Sequence, residues 1–309
     1  MAIDRKTVKV MVLKGGISPE REISLLSGTN VERALAEKGY GVSGFDVTSP
    51  QADKIINFIK EEGGEVVFIA LHGEFGEDGQ LQEILEENNI VFTGSSPEAS
   101  FLSMDKLRSK RVFETAGLKV PPTWSEAEAS EIDESHFPLI VKPHFAGSSI
   151  GVTKVKSRES LKEAIHKAKD ISSQVIIEKF IEGREISVGI LGKEVLPVVE
   201  IVPQNDYYDF SCKYEEGMSR FVVPATLPSG VYKKAQSIAW QSFTALGCRH
   251  LGRIDMIVDA EEDIYVLEVN SIPGLTAHSL LPLAAKSAGI SFGDLCEKIV
   301  ELALGNEIK

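Results

Sequence analysis

The sequence predicts an α/β unit built on a small parallel sheet, followed by an α+β region of mostly consecutive strands. Three observations carry this. Over residues 1–96, apolar β-rich runs alternate with helical patterns, as a parallel sheet with crossover helices requires. Pro121-Pro122 then breaks the pattern, and strands begin to follow one another across glycine turns. Residues 252–259 and 264–270 are two further β-rich runs, joined by Ala260-Glu261-Glu262-Asp263, and read as a β-hairpin.

Taken in order, residues 8–13 form a first strand that runs into Gly15-Gly16. Residues 20–38 then carry Ile23, Leu26, Val31, Ala34 and Leu35 at helical spacing. Ser18 is the expected cap of this helix, Pro19 its first position and Gly39 its stop. Strands at 42–47, 66–71 and 90–93, with helices at 52–61 and 80–87, complete the parallel unit. Gly15-Gly16 lacks the GxGxxG spacing of a dinucleotide fingerprint. Ligands of such sheets gather at the carboxyl ends of the strands. Glu20 follows the first strand and His72 the third, which points to a pocket offering a carboxylate to an ammonium group. Glu20 equally suits the dipole of a first helical turn.

Residues 97–117 read as helical and contain Lys106. The strand 139–143 contains Lys142, the glycine- and serine-rich loop 144–151 follows, and a strand at 152–155 returns. Backbone N–H groups of such a loop can surround phosphate oxygens, with Lys142 adding positive charge at its base. The same loop also serves as a plain hairpin connection. A helix at 161–169 and strands at 174–181, 185–191 and 195–202 come next. Residues 207–221 are polar and aromatic without a period, and read as a loop or flap. A helix at 231–246 leads into the hairpin, and a helical tail broken near Gly289 closes the chain.

Along the hairpin, side chains alternate, so Arg253 shares a face with Asp255, and Glu268 with Asn270. If Ala260 pairs with Asp263, Asp255 lies opposite Glu268 and Arg253 opposite Asn270. Two carboxylates directly across a strand pair repel. A divalent cation between them reverses the sign, and oxygen donors of this kind suit magnesium. A solvated hairpin face is the plainer reading of the same charges.

Composition narrows the function classes. The 309 residues suffice for two or three domains, and 43% hydrophobic with 26% charged residues is ordinary for a globular protein. A net charge of −13 argues against a general nucleic-acid or membrane-surface binder. No apolar run approaches the roughly 20 residues that span a bilayer, and the first residues read as a strand rather than a signal peptide. Cys212, Cys248 and Cys296 are odd in number and widely spaced, as reduced thiols of a cytoplasmic protein would be.

Lys106, Lys142, the Gly-Ser-Ser loop, Glu178-Lys179-Phe180-Ile181 and the set Asp255, Glu268 and Asn270 occur in an order that resembles the ATP-grasp superfamily. Within it the chain is most similar to the D-alanine–D-alanine ligases. The resembling segments are GGISPEREISL (15–25), ALHGEFGEDG (70–79), TGS (93–95), MDKLRSK (104–110), IVKPHFAGSSIG (140–151), GRID (252–255) and LEVNSIPGLTAHSL (267–280). They run nearly from end to end.

The resemblance implies a Rossmann-like, pre-ATP-grasp domain at 1–96, then a two-part ATP-grasp fold: a small central domain at 97–183 and a large C-terminal domain at 184–309. It implies ATP and two Mg²⁺ ions (Mn²⁺ as a substitute), D-alanine as substrate, a cytoplasmic homodimer and a place in peptidoglycan precursor synthesis. Lys106, Lys142, Ser148, Ser149 and Lys213 would contact ATP. Glu178, Lys179, Phe180 and Ile181 would line the adenine site, and Glu185 would take the ribose hydroxyls. Asp255, Glu268 and Asn270 would hold the metal. Glu20, with His72 nearby, would pair with the ammonium of the first D-alanine. Arg253 and the backbone N–H of Gly274 would stabilise an oxyanion, and Ser279 and Leu280 would receive the second D-alanine's carboxylate. Tyr214 would reach Ser148 and Glu20 on closure. The loop departs from the family in His144-Phe145-Ala146, where many relatives are more polar. The Tyr214 hydroxyl fits dipeptide-forming members, since a phenylalanine is expected in those that accept D-lactate. A D-lactate or D-serine acceptor, and an inactive nucleotide-binding regulator, are the alternative readings.

Overall fold

The computed structural model of the chain describes residues 7–145, 147, 150–205 and 217–305. Its first sheet is parallel, in the order β2-β1-β3, with β1 (Lys9–Gly15) between β2 (Gly41–Val47) and β3 (Val66–Ile69). The period of two divides the strand side chains between two cores. Met11, Leu13, Val67 and Ile69 pack against α2 (Ala52–Glu62) and α3 (Gln80–Glu87). Val10, Val12, Val66 and Phe68 face α1 (Arg21–Glu37). The strand expected at 90–93 is reduced to one parallel bridge between Phe92 and Val67.

The cap of α1 differs from the expectation. The helix begins at Arg21, two residues beyond Pro19, and Ser18 does not cap it. The Ser18 hydroxyl instead accepts from the Glu20 N–H at 3.2 Å and donates to the His72 carbonyl at 2.6 Å. A carbonyl at the end of the third strand's loop has captured the side chain, and the loops after β1 and β3 are joined by it. Gly39, with φ of 93°, ends the helix as expected.

The helical stretch 97–117 divides into α4 (Pro97–Met104) and α5 (Lys106–Thr115) at Asp105. The extended backbone of Asp105 breaks the first helix, and its carboxylate accepts from the Arg108 N–H at 2.9 Å to start the second. A four-stranded antiparallel sheet follows, in the order β4-β7-β5-β6: β4 (Thr123–Ser125), β5 (Leu139–Pro143), β6 (Thr153–Val155) and β7 (Val175–Lys179). Leu161, Ala164 and Ala168 of α6 (Arg158–Lys169) cover one face of it.

The third sheet is antiparallel, with β8 (Arg184–Leu191), β9 (Glu194–Val195), β10 (Val199–Pro203), β11 (Ser219–Val222), β12 (Leu251–Val258) and β13 (Ile264–Asn270). Its order is β11-β10-β8-β12-β13, and β9 pairs with β8. The single strand expected over 195–202 is broken between β9 and β10, where Pro197 has no N–H to give a ladder. The end of the expected 207–221 loop is strand β11, ordered by pairing with β10 rather than by any pattern of its own; 206–216 lie outside the described residues. Val231, Ala235, Ala239 and Phe243 of α7 (Ser229–Ala245) cover this sheet, and Ala99 of α4 and Phe113 of α5 join the same core. The chain then forms α8 (Leu280–Ser287) and α9 (Phe292–Ala303). Leu281, Ile299 and Val300 of these helices complete the α1 side of the N-terminal core. Among the described residues no helix is long and apolar enough to cross a membrane.

Candidate active site

The hairpin pairs Asp255 with Glu268 and Arg253 with Asn270 as expected, but by another route. At the turn end Val258 pairs with Ile264 and Met256 with Val266, one residue out of the expected register. A β-bulge at Leu267 then restores it. Its consequence is a change of face. Ile264 and Val266 point into the core under α7, and strict alternation would send Glu268 there too. The extra residue turns Glu268 and Asn270 to the opposite side and lets Val269 return to the core.

On that side Arg253 donates to both Asp255 oxygens, Nε to Oδ1 at 2.9 Å and Nη2 to Oδ2 at 2.7 Å. Ser187 on β8 adds a hydroxyl donor to Oδ1 at 2.7 Å. Lys106, at the start of α5, places Nζ 3.8 Å from Glu268 Oε2. The Asn270 side-chain oxygen accepts from the Ile272 N–H at 3.0 Å, which turns the chain into the loop before α8. Among the described residues no three His, Cys, Asp or Glu side chains gather as a metal site. The set here is two opposed carboxylates and an amide oxygen. Those donors fit magnesium, which needs one or two carboxylates and takes further ligands from phosphates and water.

Two cavities meet at this face. One of about 300 Å³ is lined by Glu20, His72, Arg253, Asn270, Gly274, Ser279 and Leu280. The other, of about 120 Å³, is lined by Lys142, Glu178, Lys179, Phe180, Ile181, Glu185 and Asp255. Lys106, Gly147 and Glu268 border both. The larger cavity therefore takes in the expected amino-acid residues and the smaller one the expected nucleotide residues. Ser148, Ser149, Lys213 and Tyr214 lie outside the described residues.

The larger cavity is walled by the loops that Ser18 ties together. Gly147 comes so close to Glu20 that a Cβ there would stand 2.8 Å from Oε2. His72 is 4% exposed, with Nδ1 3.7 Å from Glu77 Oε1 and Nε2 3.3 Å from the Ser27 hydroxyl. Burial opposes the charge on the imidazole, but Glu77 and then Glu20 outweigh it and hold the His72 pKa above its ordinary value. Ser27 also accepts from the Leu275 N–H at 3.2 Å, and Ser279 from the Thr276 N–H at 3.0 Å. These bonds fix the Gly274 loop against α1.

In the smaller cavity, Glu178 on β7 is 3% exposed and sits between two lysines, with Lys110 Nζ and Lys142 Nζ each 3.0 Å from Oε1. Burial pushes the Glu178 carboxyl pKa up, yet the two ammonium charges prevail and hold it below the usual carboxylate range. Lys154 Nζ stands 3.6 Å from the centre of the Phe180 ring. His144 Nε2 lies 2.8 Å from Asp105 Oδ1, and its ring stacks on Phe145 at 4.4 Å. The start of the glycine–serine loop is thereby fastened to the cap of α5, next to Lys106.

Sequence reasoning gave no role to Lys110, Glu77 or the Asp105–His144 pair. For Lys110 a signal existed: it stands four residues after Lys106 in a helix, hence on the same face. Glu77 and Asp105 carried none: Glu77 meets His72 through the irregular turn of the loop they share, and His144 reaches Asp105 from 39 residues away.

Residues 113–301 match the family described as the D-Ala–D-Ala ligase C-terminus. The chain is 41% identical over 308 residues to the D-alanine–D-alanine ligase of Geotalea uraniireducens, covering 98% of both chains. The structure superposes on that of D-alanine–D-alanine ligase from Bacillus anthracis complexed with ATP, with a TM-score of 0.84 and 28% identity over 97% of this chain and 98% of that one. It is also similar to the VanG D-Ala:D-Ser ligase from Enterococcus faecalis, with a TM-score of 0.80 and 29% identity over 96% and 99% of the two chains.

Proposed function

The chain belongs to the D-alanine–D-alanine ligase family, and from that membership we propose how its two adjoining cavities divide the work. The protein is an ATP-dependent ligase that joins two D-alanines into D-alanyl-D-alanine. The observation that carries the division of labour is the meeting of the cavities at Lys106 and Glu268, beside the opposed carboxylates of β12 and β13.

A carboxylate is a poor electrophile, so the first D-alanine must be activated. Its carboxylate oxygen attacks the terminal phosphorus of ATP, the bond from that phosphorus to the bridging oxygen breaks, and ADP leaves. D-alanyl phosphate remains. The neutral amine of the second D-alanine then attacks the acyl carbon, an oxyanion forms, and its collapse breaks the bond to the phosphate oxygen; phosphate leaves, and the nitrogen gives up one proton to become the amide N–H. Catalysis of such transfers is mostly positioning and electrostatics.

Lys106 and Lys142 would hold the phosphates, with Ser148, Ser149 and Lys213 contributing from outside the described residues. Glu178, Lys179, Phe180 and Ile181 would line the adenine site and Glu185 would bind the ribose. Asp255, Glu268 and Asn270 would hold two Mg²⁺ ions, or Mn²⁺, which offset charge on the transferring phosphoryl group. Glu20 would pair with the first substrate's ammonium, steadied by its neighbour His72. Arg253 and the Gly274 N–H would stabilise the oxyanion. Ser279 and Leu280 would receive the second carboxylate, and Tyr214 would complete the closed site. Closure would exclude water that hydrolyses the acyl phosphate. The same reading divides the chain into domains at 1–96, 97–183 and 184–309, working as a cytoplasmic homodimer that supplies peptidoglycan synthesis.

ATP-dependent phosphate release tests the reading, with the product identified by mass. D-Alanyl-D-alanine is expected from D-alanine with magnesium, and none from L-alanine. Asp255→Asn and Glu268→Gln are each expected to lower turnover at least about a hundredfold. Near wild-type turnover in both would remove the metal assignment.

A further inference from the structure

Lys110 has no part in the mechanism above, yet it is among the most enclosed charges of the molecule, at 2% exposure. It lies one helical turn beyond Lys106 on α5. Its Nζ is 3.0 Å from Glu178 Oε1 and donates to the Leu267 carbonyl, at the bulge of β13, at 3.4 Å. Lys110 thus connects the central sheet to the strand whose bulge presents Glu268.

Lys142 approaches the same Glu178 oxygen at 3.0 Å. The two lysines are not equivalent. Lys142 borders the smaller cavity and its side chain is 11% exposed; Lys110 is 3% exposed by the same measure and is not among the residues lining that cavity. Two ammonium groups on one carboxylate leave an excess positive charge that suits an incoming anion. Only Lys142 is placed to turn toward it. Once Lys142 turns, Glu178 depends on its remaining partner, because a buried carboxylate without a counter-ion is strongly unfavourable.

We propose that Lys110 is a positioning residue for the nucleotide: it keeps Glu178 paired, and so frees Lys142 for the phosphates. The proposal rests on the reading of Lys142 as a phosphate ligand. Lys110 touches no substrate in this scheme and acts through Glu178.

Calorimetric titration of the full chain with ATP and Mg²⁺, without D-alanine, tests it. Lys110→Met is expected to weaken ATP binding about tenfold or more. A neutral glutamine at 178 needs no counter-ion, so K110M/E178Q is expected to bind ATP as E178Q does, within about twofold. Should K110M alone fail to fold, the comparison of K110M/E178Q with E178Q carries the test. An equal loss from K110M in the wild-type and E178Q backgrounds overturns the proposal, since Lys110 would then act without Glu178. So does wild-type affinity in K110M. Wild-type affinity in K142M would instead remove the phosphate role of Lys142, and absence of ATP binding by the wild type would remove the functional reading itself.

Discussion

His72 and Glu77 face each other at 3.7 Å in an enclosed part of the larger cavity. Burial disfavours the charged imidazole and also raises the Glu77 pKa, while the acidic neighbours hold the His72 pKa above 6.5. The folded protein therefore binds more protons than the unfolded chain above that pH. Linkage makes this contribution complete below pH 6.5 and lost as pH rises through the folded value. In His72→Gln the decline in urea midpoint between about pH 6 and about pH 9 is expected to flatten. An unchanged decline would assign it to another group. Legibility here follows regular backbone spacing rather than sequence distance alone. Lys106 and Lys110 share a helical face that spacing reveals, whereas Glu77 meets His72 only through the shape of its loop. Ser18 shows the same limit: a good capping residue was drawn away by a carbonyl more than fifty positions along the chain.

The hairpin of β12 and β13 shows what patterning conveys about an element. Its β-branched runs and acidic turn were legible; the pairing of Asp255 with Glu268 was expected from a turn register one residue off, which the bulge at Leu267 makes good. The bulge was not legible, because Leu267 looks like any apolar strand residue and only packing under α7 fixes which neighbour turns inward. The same packing explains Gly252. A Cβ at that position would lie 2.7 and 2.9 Å from ring carbons of Phe243 on α7. Gly252→Ala is therefore expected to destabilise the fold by about 1–3 kcal/mol, read from urea unfolding. A wild-type midpoint would mean that Phe243 moves aside freely. The break between β9 and β10 follows from Pro197, a signal present in the sequence, whereas β11 becomes a strand only by having β10 beside it.

Over the whole molecule, the first and last helices hold each other. Lys38, just after α1, pairs with Asp294 and, at 3.1 Å, with Glu297 of α9. Asp294 holds the Lys38 pKa above 10.5, and Lys38 holds that of Asp294 below 3.8. The contribution is thus present between those values, fading as pH falls through the Asp294 folded value or rises through that of Lys38. Because Asp294 is 45% exposed, Asp294→Asn is expected to cost no more than about 1 kcal/mol at neutral pH. The difference between the variants' urea midpoints should shrink below about pH 3; a pH-independent difference would mean packing, not charge, is lost. This long-range closure was invisible in the sequence, which showed two ordinary amphipathic helices.

The α1 side of the first sheet has a consequence for biosynthesis. The core around Val10, Val12, Val31 and Leu35 is completed last by Ile299 and Val300, roughly 265–290 residues further along the chain. At roughly 5–20 residues per second, a ribosome leaves that core open on one side for about 10–60 s. During this interval the sheet and α1 can already pack together, but their shared core reaches its full burial only once α9 has been made.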